Sequence, residues 1–165
     1  MSLKHENQFQ LYYKDYQSMV FSLCKGFVKG DTYEARDLVQ EVFIRVWNAL
    51  PDFKGNASPK TWIYRISVNT CLLHLRNQQT NLIQPLNENL QDISQEEENT
   101  PSDYSELYSA INQLAEMDRI IILLVLDELK YDEISAIVGI AEGALRVRIH
   151  RSKQKLNEIL NNYGK

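Results

Sequence analysis

Apolar side chains recur every three or four positions over most of this chain, a spacing that places them on one face of a helix. In the first half, the pattern predicts three helices, over about 9–27, 31–50 and 59–77. The first has an apolar and aromatic set that we expect to form one buried stripe: Phe9, Tyr12, Tyr13, Tyr16, Met19, Val20, Leu23, Cys24 and Phe27. Three amphipathic helices of this length can pack as one small bundle.

The boundaries between these helices have their own signals. Gly30 can end the first helix in the left-handed conformation, and Asp31 has the spacing of a capping box with the glutamate three places later. Pro51 stops the second helix, and the stretch 51–60 is dense in Pro, Gly, Asn and Ser, which predicts an exposed loop. The inward edge of the third helix is expected to contain Ile63, Ile66, Thr70 and Leu73.

The second half predicts further helices over about 104–115, 118–129, 132–138 and 142–161. The run "IIILLVL" could be a strand by propensity. It lies between a helix-start signal and a polar stretch, so we interpret it as part of a buried helix. The predicted fold class is therefore all-α.

A polar segment divides the two halves. Residues 78–101 contain no basic or aromatic residue and no sustained period, so they cannot bury enough apolar surface to offset the entropy of ordering. We predict two small helical bundles, 1–77 and 103–165, joined by a flexible acidic linker, 78–102. The net charge of −4 hides this division, because the stretch 78–109 alone holds seven Asp/Glu and no Lys/Arg.

Composition excludes several classes of protein. No apolar run approaches the roughly 20 residues needed to cross a bilayer, and the first ten residues lack the apolar stretch of a secretion signal. We expect a cytoplasmic protein with no direct membrane insertion. Cys24 and Cys71 lie far apart within helical apolar patterns, which is typical of core residues rather than of a zinc site.

A helix-turn-helix is predicted near the end of the second bundle. A break at Gly139 separates two short helices, and five apolar residues around it are placed to face one core: Ile134, Val138, Ile140, Leu145 and Ile149. The second of these helices gathers positive charge, with five Lys/Arg after residue 143 before the first acid, Glu158.

The outward face of that helix is suited to the major groove of DNA. With Leu145 inward, the outward residues and their flanks are Gly143, Arg146, Val147, Arg148, His150 and Arg151, followed by Lys153 and Lys155. Arginine can read guanine through two hydrogen bonds, and the two lysines are better placed for phosphates. A solvated basic helix is the simpler alternative, and the preceding turn and helix favour DNA binding.

Across nearly its whole length, the chain resembles the extracytoplasmic-function sigma factors, the two-domain bacterial transcription initiation subunits. The first bundle resembles their region two through "DLVQEVFIRVW" (37–47) and "FKGNASPKTWIYRISVNTCLLHLR" (53–76). The second resembles region four through "YDEISAIVGIAEGALRVRIHRSKQKL" (131–156). Two motifs in this order, separated by a linker, are more specific than either alone.

The resemblance implies a polymerase-docking face on the second helix. Opposite its apolar stripe lie Asp37, Gln40, Glu41, Ile44 and Asn48. Polar and acidic residues around one exposed isoleucine suit a protein interface. By resemblance, this face docks on the clamp coiled coil of core RNA polymerase, and the second bundle meets the flap. Without the resemblance, a plain solvated helix face would explain these five residues.

The resemblance also implies that the loop after the second helix captures unpaired bases of the minus-ten promoter element. The candidate contacts are Lys54, Asn56, Ser58, Lys60 and Thr61, with Arg65, Asn69 and Arg76 facing the strand backbone. Trp62 is a possible stacking platform, but an aromatic at helical spacing is more typical of a core. The resemblance assigns the minus-thirty-five promoter element to the basic helix of the second bundle.

Other implied partners are promoter DNA and an anti-sigma factor, which in some relatives is membrane-anchored. The free chain is expected to be monomeric. No phosphate-binding glycine loop or paired catalytic set accompanies the three histidines, so we expect no enzyme activity, cofactor or metal. The competing reading is a helix-turn-helix regulator that binds duplex DNA alone as a dimer.

The start of the basic helix departs from the family pattern. Relatives usually have Ser, followed three places later by Thr or Asn, whereas this chain has Ala141 and Ala144. A lost N-cap hydroxyl costs about 1 kcal/mol, and Gly143 weakens the first turn further. We expect this helix start to fray when DNA is absent.

Overall fold

The computed structural model describes residues 2–81 and 102–163. All regular secondary structure in those ranges is helical, which confirms the all-α prediction. The first bundle comprises α1 (Leu3–Phe27), α2 (Thr32–Ala49), a 3-10 turn (Leu50–Asp52) and α3 (Pro59–Asn81). The second comprises α4 (Ser102–Ile111), α5 (Glu116–Leu126), α6 (Tyr131–Val138) and α7 (Glu142–Tyr163).

The boundary between α1 and α2 lies where the sequence signals placed it. Gly30 has φ +81°, and the carboxylate of Asp31 accepts a hydrogen bond from the backbone N–H of Glu34 at 3.1 Å. The expected capping residue therefore opens α2. By contrast, α1 begins at Leu3, one and a half turns before the apolar stripe, because the polar residues before Phe9 continue the helix on its solvent side.

The core of the first bundle contains most of the predicted stripe. Val20, Leu23, Cys24 and Phe27 are buried, but Tyr13 is 43% exposed and was wrongly placed inside. Tyr13 follows Tyr12 by 100°, so the helix cannot bury both rings against the same partner. This shift leaves an aromatic edge on the outside of α1.

The inward edge of α3 is also shifted from the prediction. Thr70 and Ile63 are buried as expected, but Ile66 is half-buried and Leu73 is 37% exposed. The inward positions instead include residues one step along the helix: Tyr64, Ser67, Val68 and Cys71. A second contact surface on α3 explains this wider buried band, because the second bundle packs against the same helix.

The second bundle is built around α5. Residues 120–124 are all buried, so the run "IIILLVL" belongs to a buried helix as predicted. Gly139 ends α6 with φ +75°, and its N–H donates to the carbonyl of Ser135 at 2.9 Å. Ile134, Leu145 and Ile149 are buried together across this turn, which confirms the helix-turn-helix core.

The expected linker is shorter at its start than predicted. Residues 78–81 continue α3 and are not linker, since no proline or glycine stops the helix at Asn77. Residues 82–101, where most of the predicted linker falls, lie outside the described residues. In the described part of the chain, no helix is long and apolar enough to span a membrane.

The two bundles are in contact. Helix α3 packs on α6, and the end of α1 packs on α5. The buried side chains of both bundles form one continuous cluster. This arrangement places the loop before α3 and the basic helix α7 on one body.

Candidate docking and nucleic-acid surfaces

The outward face of α2 has the residues that the sequence placed there. All five are exposed: Asp37, Gln40, Glu41, Ile44 and Asn48. Ile44 is 51% exposed, which is unusual for an isoleucine. Glu41 Oε1 accepts a hydrogen bond from Arg45 Nε at 3.1 Å, an exposed pair one turn apart. The face is therefore acidic and polar around one apolar side chain.

An open groove of about 890 Å³ adjoins this face, between α1 and α2. Its floor is aromatic, and its rim includes Asp37, Gln40 and Ile44. The aromatic lining residues are Phe9, Tyr13, Phe21, Phe43 and Trp47. The sequence missed this groove because Phe9 and Tyr13 were assigned to the buried stripe of the first helix.

Aromatic contacts join α1 to α2 at the floor of the groove. The rings of Phe9 and Trp47 meet edge to face at 5.1 Å, and those of Tyr13 and Phe43 at 4.8 Å. Each pair joins α1 to α2 and adds about 1 kcal/mol beyond its buried area. These pairs therefore join the two walls of the groove, and the groove and the acidic face beside it belong to one surface. We call it the docking face, made of residues 37, 40, 41, 44 and 48 with the aromatic floor.

The loop before α3 presents exposed polar residues. Lys54, Asn56, Ser58 and Lys60 are exposed, and Gly55 turns the chain with φ +74°. The hydroxyl of Ser58 is committed locally, however. It accepts from the backbone N–H of Thr61 at 3.1 Å and donates to Thr61 Oγ1 at 3.0 Å.

This capping geometry bears on one of the predicted contacts. Ser58 caps the N-terminus of α3 and its hydroxyl hydrogen is used by Thr61, whereas the Thr61 hydroxyl accepts that bond and keeps its own hydrogen. The donors that remain are then those of Lys54, Asn56, Lys60 and Thr61. Sequence alone could have found the cap, since Ser58 immediately precedes a proline in the first helical position.

An aromatic stack closes the loop. The rings of Phe53 and Trp62 lie 4.3 Å apart and 22° from parallel. Trp62 is half-buried and packs against the core, in agreement with its interpretation as a core residue. The stack joins the two ends of the loop, so the polar residues between them are held on a short, defined turn.

The helix α3 presents three further candidates along one side. Asn69 and Arg76 are exposed. Arg65 is half-buried, and its Nε donates to the carbonyl of Ala136 in α6 at 2.8 Å. Asn69 and Arg76 are thus accessible to a DNA strand, whereas Arg65 is bonded to the second bundle.

The basic helix α7 has a narrow apolar edge and a broad exposed face. Leu145, Ile149, Ser152 and Leu156 are buried. Among the predicted minus-thirty-five residues, Arg148 is half-buried. The others are exposed: Gly143, Arg146, Val147, His150, Arg151, Lys153 and Lys155. Val147 is 50% exposed at the centre of this face, where it could contact a thymine methyl group.

Two cations of α7 are held by neighbouring side chains. Arg148 Nε donates to Asp118 Oδ1 at 2.5 Å, which joins α7 to the first turn of α5. Arg146 lies over the ring of Tyr131 at 5.1 Å and near Glu142 at 3.8 Å. Arg151, Lys153 and Lys155 have no side-chain partner among the described residues and form the open cationic part of the helix.

The start of α7 lacks a side-chain cap. Ala141 occupies the capping position, where its carbonyl accepts from the N–H of Leu145 at 2.9 Å. A methyl group cannot satisfy the free N–H groups of the first turn. The missing hydroxyl noted in the sequence is therefore a real feature of this helix.

Comparison with known proteins agrees with this arrangement. Residues 12–80 match the family model of sigma-70 region 2, and residues 104–156 match that of sigma-70 region 4. The ECF RNA polymerase sigma-E factor of Escherichia coli is 32% identical, over 92% of this chain and 86% of its own length. The ECF RNA polymerase sigma factor SigE of Mycolicibacterium smegmatis is 29% identical over 81% of this chain, which spans 54% of that relative.

A solved structure has the same fold. The sigma factor RpoE of Bartonella quintana, determined in complex with the anti-sigma factor NepR, superposes with a TM-score of 0.72 at 20% identity. The match covers 93% of this chain and 97% of that one. Both family regions, in order, and a relative above 30% identity over most of its length lead to one conclusion: the chain belongs to the ECF family of RNA polymerase sigma factors.

Proposed function

We propose that this chain binds core RNA polymerase, directs it to specific promoters and helps melt the DNA at which transcription starts. The observation that carries the proposal is the presence of both sigma regions in one chain, aligned over 92% of it with a sigma-E factor. The chain acts through binding, without catalysis of its own, and does so in the cytoplasm as a monomer.

The docking face is the proposed contact with the clamp coiled coil of the polymerase. Ile44 supplies an apolar centre, and Asp37 and Glu41 supply negative charge around it. Such a centre with a polar rim is the usual anatomy of a protein interface. The aromatic groove lies directly beside it and extends the surface onto α1. The second bundle is the proposed contact with the flap.

The loop before α3 is the proposed reader of the minus-ten element. Taking a base out of the stack costs a few kcal/mol, which a short polar loop can offset by holding the base. Lys54, Asn56 and Lys60 are exposed and can hold the base, and the exposed Asn69 and Arg76 on α3 are the proposed contacts with the backbone of the unpaired DNA strand. The Phe53–Trp62 stack joins the two ends of the loop.

The exposed face of α7 is the proposed reader of the minus-thirty-five element. Arg151 and Arg146 can form two hydrogen bonds with guanine, and Lys153 and Lys155 can neutralise phosphates. An anti-sigma factor is a further proposed partner, supported by the presence of one in the complex that contains the Bartonella relative.

Reconstitution with core polymerase tests the proposal. The chain should co-elute with core enzyme and stimulate transcription from fragments of its own genome. Lack of both effects would contradict the proposal. Duplex binding by a dimer without polymerase would favour the stand-alone regulator.

A paired variant tests the docking face. Glu41→Ala with Ile44→Ala should abolish co-elution, because it removes the apolar centre and one charge from the surface. The fold should remain, since an exposed ion pair such as Glu41–Arg45 contributes under about 1 kcal/mol. Leu11→Ala with Asp15→Ala is the matched control, because it removes an exposed aliphatic and an exposed acid one turn apart on α1, and neither of them lines the groove. Normal binding by the first variant would remove the docking face from the proposal.

A further inference from the structure

Arg146, one of the two arginines proposed to read guanine, is held between two side chains. Its guanidinium carbon lies 5.1 Å from the centre of the Tyr131 ring, and its Nη2 lies 3.8 Å from Glu142 Oε2, one turn earlier on α7. The Arg146 side chain is nevertheless 62% exposed. Its guanidinium therefore has a defined direction while most of its surface stays open to a partner.

Tyr131 provides the firmer of these two contacts. It is the first residue of α6, is half-buried and packs against the buried core. Glu142 is 47% exposed, and an exposed ion pair at this spacing contributes little. An aromatic ring attracts a cation placed over its face, and a planar guanidinium can stack on it. The start of α6 thus supplies an anchored platform for a side chain of α7.

The other arginines of the exposed face have different surroundings. Arg148 is bound by the carboxylate of Asp118, whereas Arg151 has no side-chain partner among the described residues. A long cation without a partner samples many rotamers, and it loses them when it binds DNA. Arg146 has lost part of this freedom before DNA arrives, so less entropy is lost when it forms a contact of defined geometry.

The surroundings of Arg146 favour a base over a phosphate as its partner. The carboxylate of Glu142 offsets part of the charge of Arg146 and would repel a phosphate that approached both. Guanine instead presents N7 and O6, two uncharged acceptors side by side, which match two N–H groups of a guanidinium. Such a paired contact depends on the angle of the guanidinium plane, and the Tyr131 ring constrains that angle.

We propose that Tyr131 is a positioning residue for promoter recognition, whose ring holds the Arg146 guanidinium at the angle at which it reads one guanine of the minus-thirty-five element. Tyr131 acts through Arg146 and not through a contact of its own hydroxyl with DNA. The reading role rests on the proposed function of α7, whereas the hold of the ring on Arg146 in the free chain does not. The start of α6 thereby becomes a determinant of promoter choice.

Nuclear magnetic resonance measures the hold on Arg146 without polymerase. Protons above the face of an aromatic ring resonate upfield, so the side-chain protons of Arg146 should be shifted in the native chain. Tyr131→Phe keeps the ring and should keep the shift, whereas Tyr131→Leu should lose it. Arg146 protons at random-coil positions in the native chain would overturn the hold of the ring.

Modified guanines test the reading role. In a promoter that the polymerase complex transcribes, each guanine of the minus-thirty-five element is replaced in turn by 7-deazaguanine, which lacks the N7 acceptor. At one guanine, the replacement should weaken binding of the native complex about tenfold. It should not affect the complex with Arg146→Lys, because lysine keeps the charge but lacks the planar group. A native complex with no such guanine overturns the reading role.

The tyrosine variants then test positioning at that guanine. Tyr131→Leu should bind the unmodified promoter about threefold more weakly and should respond to the 7-deazaguanine by no more than about twofold. Tyr131→Phe should behave as the native chain does. The slope of log K against log salt should be equal in all three, because no phosphate contact changes. Tyr108→Leu, at another half-buried tyrosine of the second bundle, is the matched control and should also behave as native.

Three results would overturn the positioning role. They are a tenfold response that Tyr131→Leu retains, a Tyr131→Phe chain as weak as Tyr131→Leu, and a salt slope that falls by about 1 in Tyr131→Leu. The second would assign the effect to the hydroxyl, and the third would make Arg146 a phosphate contact. Arg146 is exposed, so Arg146→Lys should fold normally and keeps the test valid if Tyr131→Leu does not fold. If no chain, the native one included, binds promoters with polymerase, the proposed function and the reading role are overturned together, and the resonances still decide the contact in the free chain.

Discussion

Asp118 and Arg148 join the first turn of α5 to the middle of the basic helix, with 2.5 Å between Asp118 Oδ1 and Arg148 Nε. Asp118 is three-quarters buried, whereas Arg148 keeps 42% of its side chain exposed. Only one edge of the guanidinium is used by the carboxylate. The other edge of the Arg148 guanidinium is not used by Asp118, and we propose that this edge meets DNA.

This pair should have a measurable coupling energy. A double-mutant cycle with Asp118→Ala and Arg148→Ala should give about 0.5–1 kcal/mol in urea unfolding, the upper part of the range for partly exposed pairs. The exposed pair Glu41–Arg45 is the comparison and should give less. Equal coupling in the two cycles would mean that partial burial of Asp118 adds nothing.

Two glycines around the turn should respond in opposite ways to alanine. Gly143→Ala should stabilise the free chain by about 1 kcal/mol, because the position is helical and a Cβ there meets no atom within 4 Å. Gly139→Ala should destabilise it by about 1 kcal/mol, because φ is +75°. Thermal unfolding checks both, with shifts of roughly 2–4 °C. A stabilised Gly139→Ala chain would be inconsistent with this turn.

The uncapped start of α7 should exchange its amides rapidly in the free chain. Ala141→Ser should add about 1 kcal/mol by giving the first turn a hydroxyl acceptor. Hydrogen exchange of residues 142–145 measures the difference between the two chains. Strong protection of these amides in the unmodified chain would show that the first turn is ordered without a cap.

The two thiols should be inert while the protein is folded. Cys24 and Cys71 are fully buried, with 4.0 Å between their sulfur atoms. The contact with Cys24, together with burial, raises the pKa of Cys71, so little reactive thiolate forms. A disulfide reagent should titrate no thiol in the native chain and both after unfolding. Rapid native reaction would show that the α1–α3 contact opens.

The open cations of α7 should dominate the salt dependence of promoter binding. Lys153→Gln or Lys155→Gln should weaken binding of the polymerase complex to all sequences alike and reduce the slope of log K against log salt by about 1. Lys14→Gln on α1 is a control of equal charge. An unchanged slope would mean that these lysines do not contact phosphates.

The sequence predicted the helices well because their amphipathic period is strong. Errors arose where a helix has two neighbours. On α3, Tyr64 is buried because it contacts Asp127 of the second bundle, and Leu73 lies outside the buried band. An apolar repeat of three or four residues does not by itself show which of two adjacent positions on the helix faces a partner.

The sequence predicted which residues of the candidate surfaces are exposed better than it predicted their hydrogen-bond partners. The exposed residues of α2 and α7 followed from helical geometry once the apolar edge was known. The partners of Arg65 and Tyr64 are more than 60 positions away, at Ala136 and Asp127, so no local pattern could reveal them. The hydroxyl of Ser58 was counted as a spare donor because its cap on the N-terminus of α3 was overlooked.

The chain has only two tryptophans, and they lie at different surfaces. Trp47 lines the aromatic groove, whereas Trp62 stacks on Phe53 beside the loop. Ultraviolet emission can therefore report events at both places without an attached dye. In a Trp47→Phe chain the remaining signal comes from the loop alone, and in a Trp62→Phe chain it comes from the groove.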